Sequence, residues 1–167
     1  MKAYTVYQPY AHAIVAGIKR YETRPRRTNI RGRVAVHAGM KDPEEVANTV
    51  DLIAELEGMR FAEVRKRMAH WDYPCGAVIG TVEIVDCVPV EEIMDKLTER
   101  ERILGDYSPG RFAWVLENPV MFDTPIPARG QQGWWEWPFV VVKSPTQIGK
   151  TECFNMKIIC GMDGANT

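Results

Sequence analysis

Strand-like and helix-like segments interleave along this chain without the regular strand–helix–strand repeat that a parallel sheet requires. The longest strand signal runs from Cys75 to Val90 and carries Val78, Val82, Ile84 and Val85. Shorter strands are expected over Ala3–Tyr7, Tyr21–Arg24, Arg33–Ala38, Phe112–Leu116 and the Trp134–Trp137 run, with Gly110 and Gly133 opening the last two. Between them, Pro9 starts a helix whose stripe is Tyr10, Ile14 and Ile18 and whose end is marked by Gly17. Asp42 caps a helix carrying Val46, Val50 and Ile53, a second helix covers residues 62–69, and Glu91–Arg102 reads as a charged, exposed helix. This order predicts an α+β fold, a small mixed or antiparallel barrel with helices on its outside. At 167 residues and 46% hydrophobic, the chain supports one well-packed domain. We place that domain at residues 1–138, leaving 139–167 as a C-terminal extension to which no order is assigned.

Charge is distributed unevenly. From Lys19 to Arg33 there are seven basic residues and one acid, a local charge of +6, whereas the whole chain is −1. An acidic protein that gathers its cations into one segment favours a polyanionic partner, nucleic acid first. Lys19 falls where a helix ends and a strand begins, a place from which a side chain can be aimed into a cleft. Along the strand that follows, Arg20, Glu22 and Arg24 share one face, and Tyr21 and Thr23 take the other. A carboxylate between guanidiniums fixes their directions, and fixed guanidiniums recognise phosphate or a base edge. The alternative is a salt-bridge cluster that only pins the helix to the barrel.

Arg26, Arg27, Arg31 and Arg33 offer phosphate contacts without base specificity. A second basic group, Arg60, Arg65, Lys66 and Arg67, is read as an ordinary solvated helix face. Trp134, Trp135 and Trp137 read as core with at most one ring free to stack on an unpaired base, and Trp135 is the candidate.

Several classes fall away. No run of eighteen apolar residues exists and no signal peptide is evident, so a cytoplasmic protein with no membrane span is expected. Cys75, Cys87, Cys153 and Cys160 form no Cys-x-x-Cys pair and no metal-ligand spacing with His12, His37 or His70, so they read as reduced apolar residues. Pro74-Cys75 lacks the second cysteine and the His-x-Glu of a zinc deaminase.

Gln8-Pro9-Tyr10-Ala11, Gly17-Ile18-Lys19-Arg20-Tyr21-Glu22-Thr23-Arg24, Arg31 to Ala38, Gly76 to Cys87, Phe112 to Pro119 and Ile126-Pro127 through Trp135 occur in order. This series resembles the ASCH (activating signal cointegrator homology) domain over about residues 3–137. The resemblance implies a PUA-like β-barrel with flanking helices, a cleft holding the Lys-Glu-Arg motif, and a role in binding nucleic acid, RNA ahead of DNA. It also implies an alternative, because some relatives are enzymes. A metal-assisted ribonuclease would use Lys19 as electrostatic stabiliser and Glu22 or Glu83 as base or metal ligand. No cofactor is expected beyond the divalent metal that such a nuclease would need. The amidohydrolase relatives resemble Gly-x-Lys-x-x-Thr-x-Arg, and Glu22 here replaces the threonine whose hydroxyl that chemistry needs.

Beyond Trp137 the resemblance ends. Phe139 to Glu152 reads as a strand and a loop ending Gly149-Lys150-Thr151, similar to the nucleotide-binding segment of phage terminase large subunits, with Ser144 in place of the first glycine. Only sixteen residues follow Thr151, too few for an ATPase, so the segment reads as a remnant or chance match that hints at a phage or prophage origin.

Overall fold

The computed structural model describes residues 1–39, 48, 54, 74–148 and 151–160, with the backbone alone from 140 onward. The element order is β1 (Lys2–Tyr7), α1 (Tyr10–Val15), β2 (Tyr21–Arg24), β3 (Gly32–Gly39), β4 (Ala77–Pro89), α2 (Glu99–Ile103), β5 (Phe112–Pro127), β6 (Trp135–Glu136), β7 (Phe139–Ile148) and β8 (Thr151–Cys160). The helices expected at 43–53 and 62–69, and the basic group on the second of them, lie outside the described residues apart from single positions.

The first six strands form one mixed sheet in the order β2-β5-β4-β3-β1-β6. Only β1 and β3 run parallel, and every other pairing is antiparallel. Three register shifts along the β4–β5 pair, between Val78 and Gly80, Thr81 and Glu83, and Ile84 and Asp86, bend these two long strands. The sheet curls into a half-barrel whose ends, β2 and β6, do not pair with each other. The expected α+β small barrel is what the chain forms.

Alternation along β3 explains why both faces of the sheet are covered. Val34, Val36 and Ala38 point into one core with Tyr4, Ile14, Val15, Ile84 and Trp114. Ala35 points into a second core with Val78, Trp135 and Trp137. Helix α1 lies on the first face, and Gly80 lets it come close. A Cβ at Gly80 would fall inside the van der Waals shells of the Val120 carbonyl oxygen and Val15 Cγ1. Gly80→Ala is therefore expected to cost about 1–3 kcal/mol of stability, read as a lower urea midpoint. An unchanged midpoint would mean that α1 does not rest on β4 there.

The stretch expected as one exposed helix over Glu91–Arg102 is instead broken. Two 3₁₀ turns, Val90–Glu92 and Met94–Lys96, precede the short α2. The apolar residues of this stretch recur three apart at Val90 and Ile93 and are buried with Leu97. That spacing suits a 3₁₀ turn, in which i and i+3 eclipse. Leu97 then turns extended (ψ 127°), and the Thr98 hydroxyl restarts a helix by accepting from the Glu101 amide at 3.2 Å. Glu101 itself is buried rather than solvated.

Beyond Trp137, β7 and β8 pair antiparallel from Phe139 opposite Cys160 to Ile148 opposite Thr151. A strand thus follows Thr151 at the point where a P-loop would open a helix. Among the described residues, no helix is long and apolar enough to cross a membrane.

Candidate nucleic-acid site

The open side of the half-barrel, between β1 and the edge strand β2, holds a cleft of about 470 Å³. Thr5, Val6 and Tyr7 of β1 form one wall, Glu22, Thr23 and Arg24 of β2 another, and Leu104, Gly105, Asp106 and Arg111 a third. Lys19 and Tyr10 also line it.

Local sequence explains how Lys19 arrives there. The buried Gln8 accepts from the His12 amide through Oε1 at 3.0 Å, satisfying a donor at the start of α1 that has no intrahelical acceptor. At the other end Gly17 adopts a left-handed φ of +76°, and the amides of Ile18 and Lys19 both close onto the Ala13 carbonyl. This turn sends the Lys19 side chain inward, where it is 3% exposed. Its Nζ donates to the Tyr21 carbonyl at 2.5 Å and lies 3.7 Å from Glu22 Oε2. Burial pushes the Lys19 ammonium below the ordinary lysine range, and the carboxylates of Glu22 and Glu101 only partly oppose that shift.

Glu22, buried at 7% exposure, is the hub. Its Oε1 accepts from Arg24 Nε at 2.8 Å while Oε2 faces Lys19. Arg24 also donates to the Thr5 carbonyl at 3.1 Å, which ties β2 to β1 across the open side. Its guanidinium lies 5.8 Å from the ring centre of Tyr4 and 5.5 Å from that of Trp114, stacked cation over aromatic. The Tyr4 hydroxyl beneath is held neutral to unusually high pH, first by burial and then by the Glu22 charge.

The remaining cations divide. Arg27 donates to the Cys87 carbonyl and covers the Phe112 ring at 5.0 Å. Arg31 donates to the carbonyls of Thr28 and Ile30 and lies 3.6 Å from Asp86. Arg33 donates to Thr81 Oγ1, to the Asn118 carbonyl and to Glu83 at 2.9 Å. Each of these three thus donates at least one hydrogen bond to the barrel itself. Among the described residues the guanidiniums of Arg20 and Arg26, both exposed, have no such partner. Trp135 differs from the stacking ring expected of it. It is 7% exposed and packed edge-on to His37 at 5.6 Å. The half-buried ring of that run is Trp134, which stacks on Trp114 at 5.0 Å.

Glu83 does not join Glu22. Glu22 stands opposite Trp114, which stands opposite Cys87, four residues along β4 from Glu83. Among the described residues, no group of three or more His, Cys, Asp or Glu is placed to hold a metal. Glu22, with each oxygen turned to a cation, is a poor ligand for a divalent ion. The described residues do not fit the divalent metal that a nuclease of this kind would need.

Three contributors were missed in the sequence. Glu101 accepts from the Arg20 amide through Oε1 and from the Tyr107 hydroxyl through Oε2 at 3.3 Å, fixing the Lys19–Arg20 corner. The Thr98-x-x-Glu101 spacing of a capping box was the available signal. Asp106 and Arg111 complete the third wall, and nothing in their local sequence marks them.

Comparison with known proteins agrees with the resemblance. The family model described as ASCH domain matches residues 5–126. Activating signal cointegrator 1 of Homo sapiens is 29% identical over 134 residues, 79% of this chain and 21% of that protein. The Mus musculus protein of the same name is 28% identical over the same shares. The chain thus spans about a fifth of the length of these curated relatives. The crystal structure of ASCH from Zymomonas mobilis is 18% identical, with 75% of this chain and 72% of that chain covered and a TM-score of 0.45.

Proposed function

Because the chain belongs to the ASCH domain family, which is associated with RNA binding, we propose that it binds single-stranded RNA and takes one unpaired nucleotide into the cleft. The observation that carries this reading is the cleft itself. Its 470 Å³ falls within the roughly 300–1,000 Å³ of small-ligand sites and is too small to admit a duplex. Its inner wall presents a buried ammonium and a guanidinium held in fixed directions by Glu22. Tyr7, half exposed, stands at the rim of the cleft. Arg26 follows the cleft-lining Pro25, and Arg20 follows Lys19, so the two uncommitted guanidiniums flank the motif where the RNA backbone would pass.

The direct experiment is fluorescence anisotropy with labelled single- and double-stranded RNA and DNA. Single-stranded RNA binding tightest is the expected result, and equal affinity for duplex would overturn the one-nucleotide reading. Log affinity should fall linearly with log salt. Neutralising Arg20 and Arg26 together should flatten that line by about 1.4, because each lost phosphate contact on a single strand removes about 0.7. Neutralising Arg27 and Arg31 should flatten the line less, since Nη1 of each already faces a main-chain carbonyl.

A further inference from the structure

Two guanidiniums, not one, line the cleft in a prepared state. Arg24 is held by Glu22 and the Thr5 carbonyl. Arg111, which precedes β5 where β5 meets the end of β2, is held in the same style. Its Nε donates to the Asp106 carbonyl at 3.1 Å and lies 3.5 Å from Asp106 Oδ2, and its Nη2 donates to the Thr23 carbonyl at 3.1 Å. Asp106 is anchored in turn. Its Oδ1 accepts from the Ser108 amide and hydroxyl, and these bonds keep its carboxyl below the usual aspartate range. The Thr23 hydroxyl accepts from the Asp106 amide at 3.2 Å, so the 106–111 turn is stapled to β2.

In both arginines Nη1 makes no hydrogen bond among the described residues, although Nε and Nη2 are engaged. Both side chains are partly open, Arg24 at 33% and Arg111 at 25%. Such a guanidinium has already lost its rotamer freedom, so it can receive an oxyanion with little further ordering. The charges lining the cleft point the same way. Lys19, Arg24 and Arg111 stand against Glu22 and Asp106, which leaves one positive charge over. A phosphodiester carries one negative charge.

We propose that Arg111 and Arg24 form a clamp for a phosphate group at the mouth of the cleft, with Arg111 contacting the phosphate of the nucleotide that enters. This rests on the RNA-binding reading for the source of the phosphate, while the chemistry of the clamp would serve equally for a free nucleotide.

The test uses the full chain and its Arg111→Gln and Arg111→Lys variants, with melting temperatures recorded for each. Probes are a single-stranded RNA, the same RNA with methylphosphonate linkages, a nucleoside monophosphate and inorganic phosphate. Arg111→Gln should weaken RNA binding about tenfold or more, because a hydrogen bond to a charged group is lost. It should also reduce the salt slope by about 0.7 and no longer distinguish the methylphosphonate RNA at that contact. Arg111→Lys should keep the slope and lose affinity, since an ammonium keeps the charge without the planar fork. Wild-type affinity and slope in a folded Arg111→Gln protein would overturn the clamp. If that variant does not fold, unchanged affinity in Arg111→Lys overturns it instead. Should the wild type bind no RNA, the RNA reading fails alone, and inorganic phosphate and the monophosphate then decide. Saturable binding lost in Arg111→Gln upholds the clamp, and no binding overturns it.

Discussion

Glu22→Ala is expected to cost about 3–5 kcal/mol of folding stability and to abolish nucleic-acid binding with it, because it leaves two buried or half-buried cations without their shared counter-ion. Lys19 and Arg24 sit 3.7 Å and 2.8 Å from opposite oxygens of this one carboxylate. Once it is gone, the Lys19 ammonium keeps the Tyr21 carbonyl and only the more distant field of Glu101. Arg24 would also lose the bond that holds it over Tyr4 and Trp114. Denaturant midpoints measure the effect, and Glu83→Ala is the control. Glu83 is also paired with an arginine, but at 28% exposure water screens the pair, so a loss of about 1 kcal/mol is expected. Equal midpoints for the two variants would show that Glu22 is not the hub described.

Much of the scaffold was legible because it follows from periodicity and punctuation. Tyr21–Arg24 begins and ends where alternation and Pro25 place it, and Gly17 ends α1 with the left-handed turn its position requires. Long β4 is visible as a run of branched residues. The Glu91–Arg102 stretch was misread because its composition is charged while its fold is set by the few apolar residues three apart. The partition of the +6 segment was illegible for a different reason. Arg27, Arg31, Arg24 and Arg111 are anchored largely by main-chain carbonyls, and a carbonyl is present at every residue, so the sequence carries no mark of which one faces a guanidinium. Charge counted along the chain therefore does not show which guanidiniums are already bonded to the barrel. Within that segment, among the described residues, the Arg20 and Arg26 guanidiniums make no hydrogen bond, whereas Arg27, Arg31 and Arg33 each donate to the barrel. Arg111 could not be found this way at all, because only the β2–β5 pairing brings it beside the motif.

Lys19→Met should behave in the opposite manner to Glu22→Ala, keeping or raising stability at neutral pH while weakening RNA binding ten- to hundredfold. The asymmetry follows from the geometry. Glu22 has two cationic partners, so losing Lys19 leaves it paired with Arg24 and uncompensated charge does not appear. The direction of the Lys19 shift gives the sign. Its proton is held less tightly in the folded protein than in the unfolded chain, where the ordinary value is 10.5. The charged ammonium thus opposes folding at neutral pH, and that cost is relieved as pH rises from the depressed value towards 10.5. Wild-type stability should accordingly climb through this window, and the climb should be missing from Lys19→Met. Tyr4 and Tyr107, both pushed upward by burial, act against folding once the unfolded chain ionises near 10.0, so the scan must stop below that pH. RNA affinity should fall through the same window as the ammonium discharges, read with a 2′-O-methyl strand that survives alkali. A cation kept in the interior against the interest of stability is explained by what it binds. Wild-type affinity that stays level across the window, or a Lys19→Met protein that unfolds as readily as Glu22→Ala, would return Lys19 to a structural role.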